Sequence, residues 1–230
     1  MTITVPPPGV DADGPVVVLV HGGGWVAGTP NLMDRWADAL AAEGAVVFNA
    51  SYRFIGQPGG GDPGSVDDVA CAIRFAEAEA AAFTDADELV VVGHSAGAHL
   101  GAVVASDPAP WGQDCAYPPA DPPDRFVGLA GVYDIKAVPF VFILSAFVGG
   151  SISQVPERWT ALNPVELVTG GRLDLDVVLV TGELDEVVPP SQAQGFAAAL
   201  PLGAELVETV GAGHNDVLDP VRVGVDVVLK

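Results

Sequence analysis

Glu88-Leu-Val-Val-Val-Gly-His-Ser-Ala-Gly97 joins an apolar run to a G-x-S-x-G pentapeptide at 93–97, and the small-residue stretch 96–106 follows. A continuous apolar run of this length predicts a buried strand, and the residues after Gly97 predict a helix. A strand that turns this sharply into a helix pushes the serine between them out of the sheet edge as a nucleophile. Such a turn strains the serine backbone and leaves no room for bulk two residues to either side. Gly93 and Gly97, with Ala96 and Ala98, meet that demand.

A serine hydroxyl needs a base, a group to orient that base, and donors for the oxyanion that forms. The chain has four histidines. His94 lies inside the turn, with a side chain expected to point away from Ser95. His99 sits one helical turn further on, and His21 opens a glycine run. His214, in Gly211-Ala-Gly-His-Asn-Asp216, follows the strand-like run 204–210 and is the candidate base by elimination. The orienting acid is expected after another strand. Asp185, in the loop 182–189 behind the apolar run 176–181, is the candidate, with Glu183 and Glu186 as rivals in the same loop.

Donors for the oxyanion are expected from His21-Gly-Gly-Gly-Trp25, directly after the apolar strand 15–20. Three adjacent glycines let backbone N–H groups face a ligand with no side chain in the way. The amide of Ala96 would complete the set.

The chain order Ser95, Asp185, His214 is that of α/β-hydrolases. With His21-Gly-Gly-Gly-Trp25 and Gly93-His-Ser-Ala-Gly97, the sequence resembles the hormone-sensitive-lipase-like carboxylesterases, the HGGG branch of that fold. The resemblance implies oxyanion donors at Gly23, Gly24 and Ala96, and supports the triad roles above. Gly93-His-Ser-Ala-Gly-Ala-His-Leu100 and Gly131-Val-Tyr-Asp-Ile135 also look like the kynurenine formamidase and small feruloyl-esterase-like relatives. Enzymes of the HGGG branch usually carry a helical cap and two leading strands before the HGGG strand. Only 14 residues precede Pro15 here, so the cap and the leading strands are expected to be absent and the site open.

Strand-like runs at 15–20, 45–50, 88–93, 125–130, 176–181 and 204–210 alternate with helical stretches near 31–42, 65–82, 96–106, 190–200 and 216–229. This predicts an α/β-hydrolase fold: a mostly parallel, doubly wound sheet of about six strands in one domain, residues 1–230. Ser65 and Asp68 resemble a capping box opening the second helix. The insert 131–175 is expected to line or roof the site. Within it, Phe140, Phe142 and Phe147 are candidate substrate contacts, as is Trp25; a core helix or a contact between two copies of the chain are the other readings of 137–149.

The net charge of −21 comes from scarce bases, nine in 230 residues. No basic patch can form, which excludes nucleic acid as a partner, and no 20-residue apolar run exists to cross a membrane. Met1–Gly14 lacks the basic start and apolar core of a signal peptide, and two cysteines are too few for a secreted scaffold. Cys71 is expected buried in a helix and Cys115 in a loop, and a cytoplasmic location is the default. No cofactor or metal is expected. The expected activity is hydrolysis of short-chain carboxylic esters on a small-molecule substrate. Arylformamidase is the alternative, and a ligand-binding protein on the same fold a remote one.

Overall fold

The structure, a computed structural model, describes residues 1–169 and 175–230. Its strands are β1 (Thr2–Thr4), β2 (Val16–Val20), β3 (Val46–Ala50), β4 (Leu89–His94), β5 (Arg125–Leu129), β6 (Asp176–Gly182) and β7 (Glu205–Thr209). They form a single sheet in the order β1-β3-β2-β4-β5-β6-β7, parallel except for β1, which pairs antiparallel with β3. From β2 the chain moves outward to β3 and then crosses back to β4. The carboxyl ends of β2 and β4 therefore lie side by side where the winding reverses, the crevice in which open α/β sheets bind ligands.

The helices are α1 (Asp34–Ala42), α2 (Gly64–Glu79), α3 (Ala96–Ser106), α4 (Val141–Val148), α5 (Pro156–Ala161), α6 (Pro164–Val168), α7 (Ser191–Ala199), α8 (Pro220–Val223) and α9 (Asp226–Leu229). The continuous apolar strands split by the two-residue period of a strand into two cores. Val16, Val18 and Val20 pack with Val69 of α2, Leu100 of α3 and Phe196 of α7. Val17 and Leu19 face the opposite side, with Trp36 and Leu40 of α1 and Val228 of α9. Each fully buried side chain of this kind contributes about 1.5–3 kcal/mol, so both sheet faces are held firmly beneath the loops that carry the chemistry.

Six of the strands follow the apolar runs to within a residue or two. The seventh, β1, corrects the expectation that no strand leads the HGGG strand: three residues at a sheet edge, two of them exposed, leave no periodic signal. Residues 216–229 do not form one helix. They break into a 3-10 turn at Asp216–Leu218, then α8 and α9, because Pro220 donates no N–H and Gly224 takes φ +95°. Ser65 and Asp68 do not form a capping box. The Ser65 hydroxyl donates to the Arg53 carbonyl and accepts from the Gly61 amide, while Asp68 pairs with the Arg53 guanidinium.

Cys71 on α2 and Cys115 are bonded to one another as a disulfide, not separate thiols. Arg74, donating to the carbonyls of Trp111 and Gly112, and Asp67, accepting from the Gly112 amide, fix the same loop to the same helix. The bridge replaces the expectation of one thiol buried on a helix and another in a loop. Among the described residues no helix is long and apolar enough to cross a membrane.

Candidate active site

Ser95 sits between β4 and α3 with φ +53° and ψ −117°, a conformation an L residue holds only under constraint. Its amide donates to the Leu129 carbonyl at 2.9 Å, which pins the turn to the end of β5. A Cβ on Gly93 would lie 2.5 Å from Ala98 Cα, and one on Gly97 would run into the carbonyls of Val20 and His21. Both glycines are therefore steric requirements of the turn.

His214 arrives from the loop after β7 and Asp185 from the loop after β6. His214 Nε2 lies 3.0 Å from Ser95 Oγ, and His214 Nδ1 lies 2.8 Å from Asp185 Oδ2. The second carboxylate oxygen of Asp185 accepts from the amides of Val187 and Val188 at 2.9 and 2.8 Å. Burial pushes the Asp185 carboxyl up, but the His214 contact and the two amides outweigh it and hold the group below its ordinary range. An ionised acceptor beside Nδ1 fixes the proton there and leaves the Nε2 lone pair facing the serine. The rival Glu183 instead accepts from the Gly211 amide, and Glu186 is exposed.

The glycine run after β2 bends back over this triad. Gly23 and Gly24 have φ of +133° and +59°, and a side chain on Gly23 would run into the Ala27 carbonyl. The amides of Gly23, Gly24 and Ala96 have no hydrogen-bond partner among the described residues. They are free to serve a ligand beside Ser95.

Trp25 has φ +62° and is almost wholly buried. Its indole N–H donates to His99 Nδ1 at 3.2 Å, and His99 Nε2 carries the ring's one N–H proton and donates it to the Leu162 carbonyl at 2.8 Å. Complete burial, only partly offset by that carbonyl, lowers the His99 pKa to about 4. His99 thus works as a neutral strut between the glycine loop, α3 and the insert, a role that no feature of its sequence position announces.

His94 does not turn away from the centre. Its ring centroid lies 5.0 Å from that of His214, and its Nε2 donates to the His214 carbonyl at 3.2 Å. Burial first, and the neighbouring His214 second, lower its pKa to about 4. It therefore brings no standing positive charge next to the candidate base.

A cavity of about 670 Å³ opens over Ser95. Of the expected contacts, Trp25 and Phe140 line it. Phe142 does not: it is 89% exposed. Phe147 is buried behind the wall, packed on Trp25 and His99 with centroids 5.6 Å from each. Helix α4 presents Ile143 to the cavity, and Val132, Val187, Val188, Leu32 and Leu218 complete its apolar lining. The insert thus forms part of the wall through Val132, Phe140 and Ile143; residues 170–174 of it lie outside the described residues. Among the described residues no Lys, Arg, Asp or Glu lines the cavity, and no cluster of His, Cys, Asp and Glu is arranged to hold a metal ion.

The BD-FAE family model matches residues 1–200. The chain is similar to esterase LipC of Mycobacterium tuberculosis, 32% identical over 232 residues that cover 91% of this chain and 55% of LipC. It is also similar to kynurenine formamidase avaC of Aspergillus versicolor, 26% identical over 87% of this chain and 82% of that protein. The chain thus spans about half the length of LipC. Among solved structures, a propionate-bound esterase from Thermogutta terrifontis superposes with a TM-score of 0.71 over 92% of this chain and 78% of its own, at 24% identity. That likeness speaks to the fold.

Proposed function

Because the chain belongs to the BD-FAE family of α/β-hydrolases, we propose that it is a serine hydrolase of short-chain carboxylic esters. The observation that carries this is the continuous contact from Asp185 through His214 to Ser95, at 2.8 and 3.0 Å, beneath three unpartnered amides.

In this mechanism Ser95 Oγ attacks the ester carbonyl as His214 Nε2 takes its proton. The carbonyl oxygen, now negative, is held by the N–H groups of Gly23, Gly24 and Ala96, each donor worth roughly 3 kcal/mol in the transition state. Asp185 stabilises the imidazolium. The C–O bond then breaks, and His214 returns the proton to the departing alcohol. Water repeats the sequence on the acyl-enzyme, releasing the acid and restoring Ser95. No step needs a cofactor.

The same groups would open a formamide. N-formylkynurenine, however, carries an amino-acid ammonium and carboxylate, and among the described residues no Lys, Arg, Asp or Glu lines the cavity to meet either. A buried unpaired carboxylate is costly. The lining therefore favours an uncharged ester.

The test is initial rates on p-nitrophenyl acetate, butyrate and octanoate and on N-formylkynurenine, for wild type and Ser95→Ala. Ester turnover that falls with acyl length and vanishes in the variant is expected. Formamide turnover well above that of the esters moves the assignment to an arylformamidase. Binding without serine-dependent turnover of any of them makes the protein a ligand-binding member of the fold.

A further inference from the structure

Leu184 and Val187 flank Asp185 on the loop after β6, and they are 63% and 53% exposed. Single exposed apolar side chains are ordinary on a protein surface, so it is the place of these two beside the active centre that marks them. Val187 lines the cavity together with Leu218, which follows His214 by four residues, and with Asn215. The Leu184 amide is bonded to the Ala212 carbonyl, so the two loops that deliver Asp185 and His214 form one joined rim.

Resting on the hydrolase assignment above, the position of His214 decides what passes over this rim. The proton that His214 Nε2 returns goes to the leaving oxygen, so that oxygen must lie within hydrogen-bond reach of Nε2. Whatever the alcohol carries beyond that oxygen runs outward past the loops that hold His214 and Asp185. The carbonyl oxygen is turned toward Gly23 and Gly24 instead, which leaves the wall of Trp25, Val132, Phe140 and Ile143 to the acyl group.

We infer that Leu184, Val187 and Leu218 form a leaving-group subsite, and that the substrates are short acyl esters of uncharged, apolar alcohols. The three side chains assigned to the subsite are hydrocarbon. Besides Asp185 three carboxylates lie on these loops: Glu183 is turned onto the Gly211 amide at 2.8 Å, Asp216 onto the Gly213 amide at 2.7 Å, and Glu186 lies in solvent, where it opposes an anionic alcohol.

The test holds the acyl group constant and varies the alcohol: ethyl, butyl and hexyl acetate, and acetylcholine as a cationic comparison. Primary alkoxide leaving groups of this series are nearly equal in intrinsic reactivity, so a trend reports contact. Full burial of a methylene is worth about fourfold and burial against a half-exposed rim about twofold, so kcat/KM is expected to rise about tenfold or more from ethyl to hexyl. In Leu184→Ser with Val187→Ser, the hexyl-to-ethyl ratio should fall toward one, with unchanged circular dichroism. A flat or falling wild-type series, an unchanged ratio in the variant, or a preference for acetylcholine over hexyl acetate overturns the subsite while leaving the hydrolase assignment standing. Absence of serine-dependent acetate release from every ester fails both.

Discussion

The indole N–H of Trp25 donates to Nδ1 of His99 at 3.2 Å, which ties the glycine loop after β2 to the helix behind Ser95. His99 passes the constraint on to the Leu162 carbonyl. Both of its ring nitrogens are committed, so it can act only as a neutral imidazole with its proton on Nε2.

Replacing His99 with Phe would leave the indole N–H and the Leu162 carbonyl buried without partners. Each orphaned group costs about 1–3 kcal/mol, so a loss of about 2–5 kcal/mol is expected in urea unfolding. Trp25→Phe removes the donor alone and should cost less at that contact. Equal stability of His99→Phe and wild type would show that the strut carries no load.

Acid should weaken the fold in a defined window. His94 and His99 both have folded pKa values of about 4, against 6.5 for a free imidazole. The folded value is depressed, so the unfolded chain binds these protons first. The stability is complete above about pH 6.5 and is lost as the pH falls through 4. Between those limits each histidine contributes a slope of up to about 1.4 kcal/mol per pH unit. The urea midpoint should drop steadily from pH 7 to 4, less steeply in His99→Phe. A midpoint that is flat across this range would contradict the burial of both rings as neutral groups.

Asp185 is the orienting acid in the proposed mechanism, and the alternative loop carboxylates differ from it in placement. Asp185→Asn keeps the shape but not the charge, and should lower kcat by about 10⁴. Glu183→Gln and Glu186→Gln should each change it by no more than about threefold, because neither touches His214. A large loss in Glu183→Gln with a small one in Asp185→Asn would reassign the role.

Most of the frame was legible in the sequence because the signals were local. Residues 16–20, 46–50 and 89–94 are valine-rich runs that become buried strands, and Gly93 and Gly97 bracket a turn that tolerates nothing larger. Ser95, Asp185 and His214 each follow a strand, so a parallel sheet delivers them to the same edge. What the sequence did not reveal depends on through-space contacts. The rotation of α4 decides that Ile143 faces the cavity while Phe142 faces water, and its apolar run is too uniform to set that phase. The Cys71–Cys115 bond joins residues 44 apart, a pairing that two cysteines permit but do not dictate.

That bond should be measurable as stability. Closing a loop of 44 residues lowers the entropy of the unfolded chain by an amount worth about 4 kcal/mol in the chain-entropy model, with 2–4 kcal/mol typical in practice. Thiol titration of the unfolded, unreduced protein should find no free thiol, and Cys71→Ala with Cys115→Ala should lower the urea midpoint accordingly. Because Arg74 and Asp67 hold the same loop, the double variant should still fold at 25 °C. Two titratable thiols in the untreated protein would show that the bridge does not form.

Two glycine substitutions with the same chemistry should move stability in opposite directions. Gly97→Ala places a methyl group against the carbonyls of Val20, the last residue of β2, and His21, the next residue, and these cannot yield without disturbing the end of the strand. Backbone clashes of this kind rank with the severe core lesions, above about 3 kcal/mol. The displaced turn should also carry Ser95 Oγ away from His214 and abolish any turnover. Gly195 lies exposed within α7 with no atom within 4 Å of its missing Cβ. Gly195→Ala gains helix propensity and restricts the unfolded chain, so it should stabilise the protein by about 0.5–1 kcal/mol. Thermal unfolding of the two variants side by side separates the effects: a Gly97→Ala protein as stable as wild type or more so would mean that the turn at Ser95 is not sterically closed.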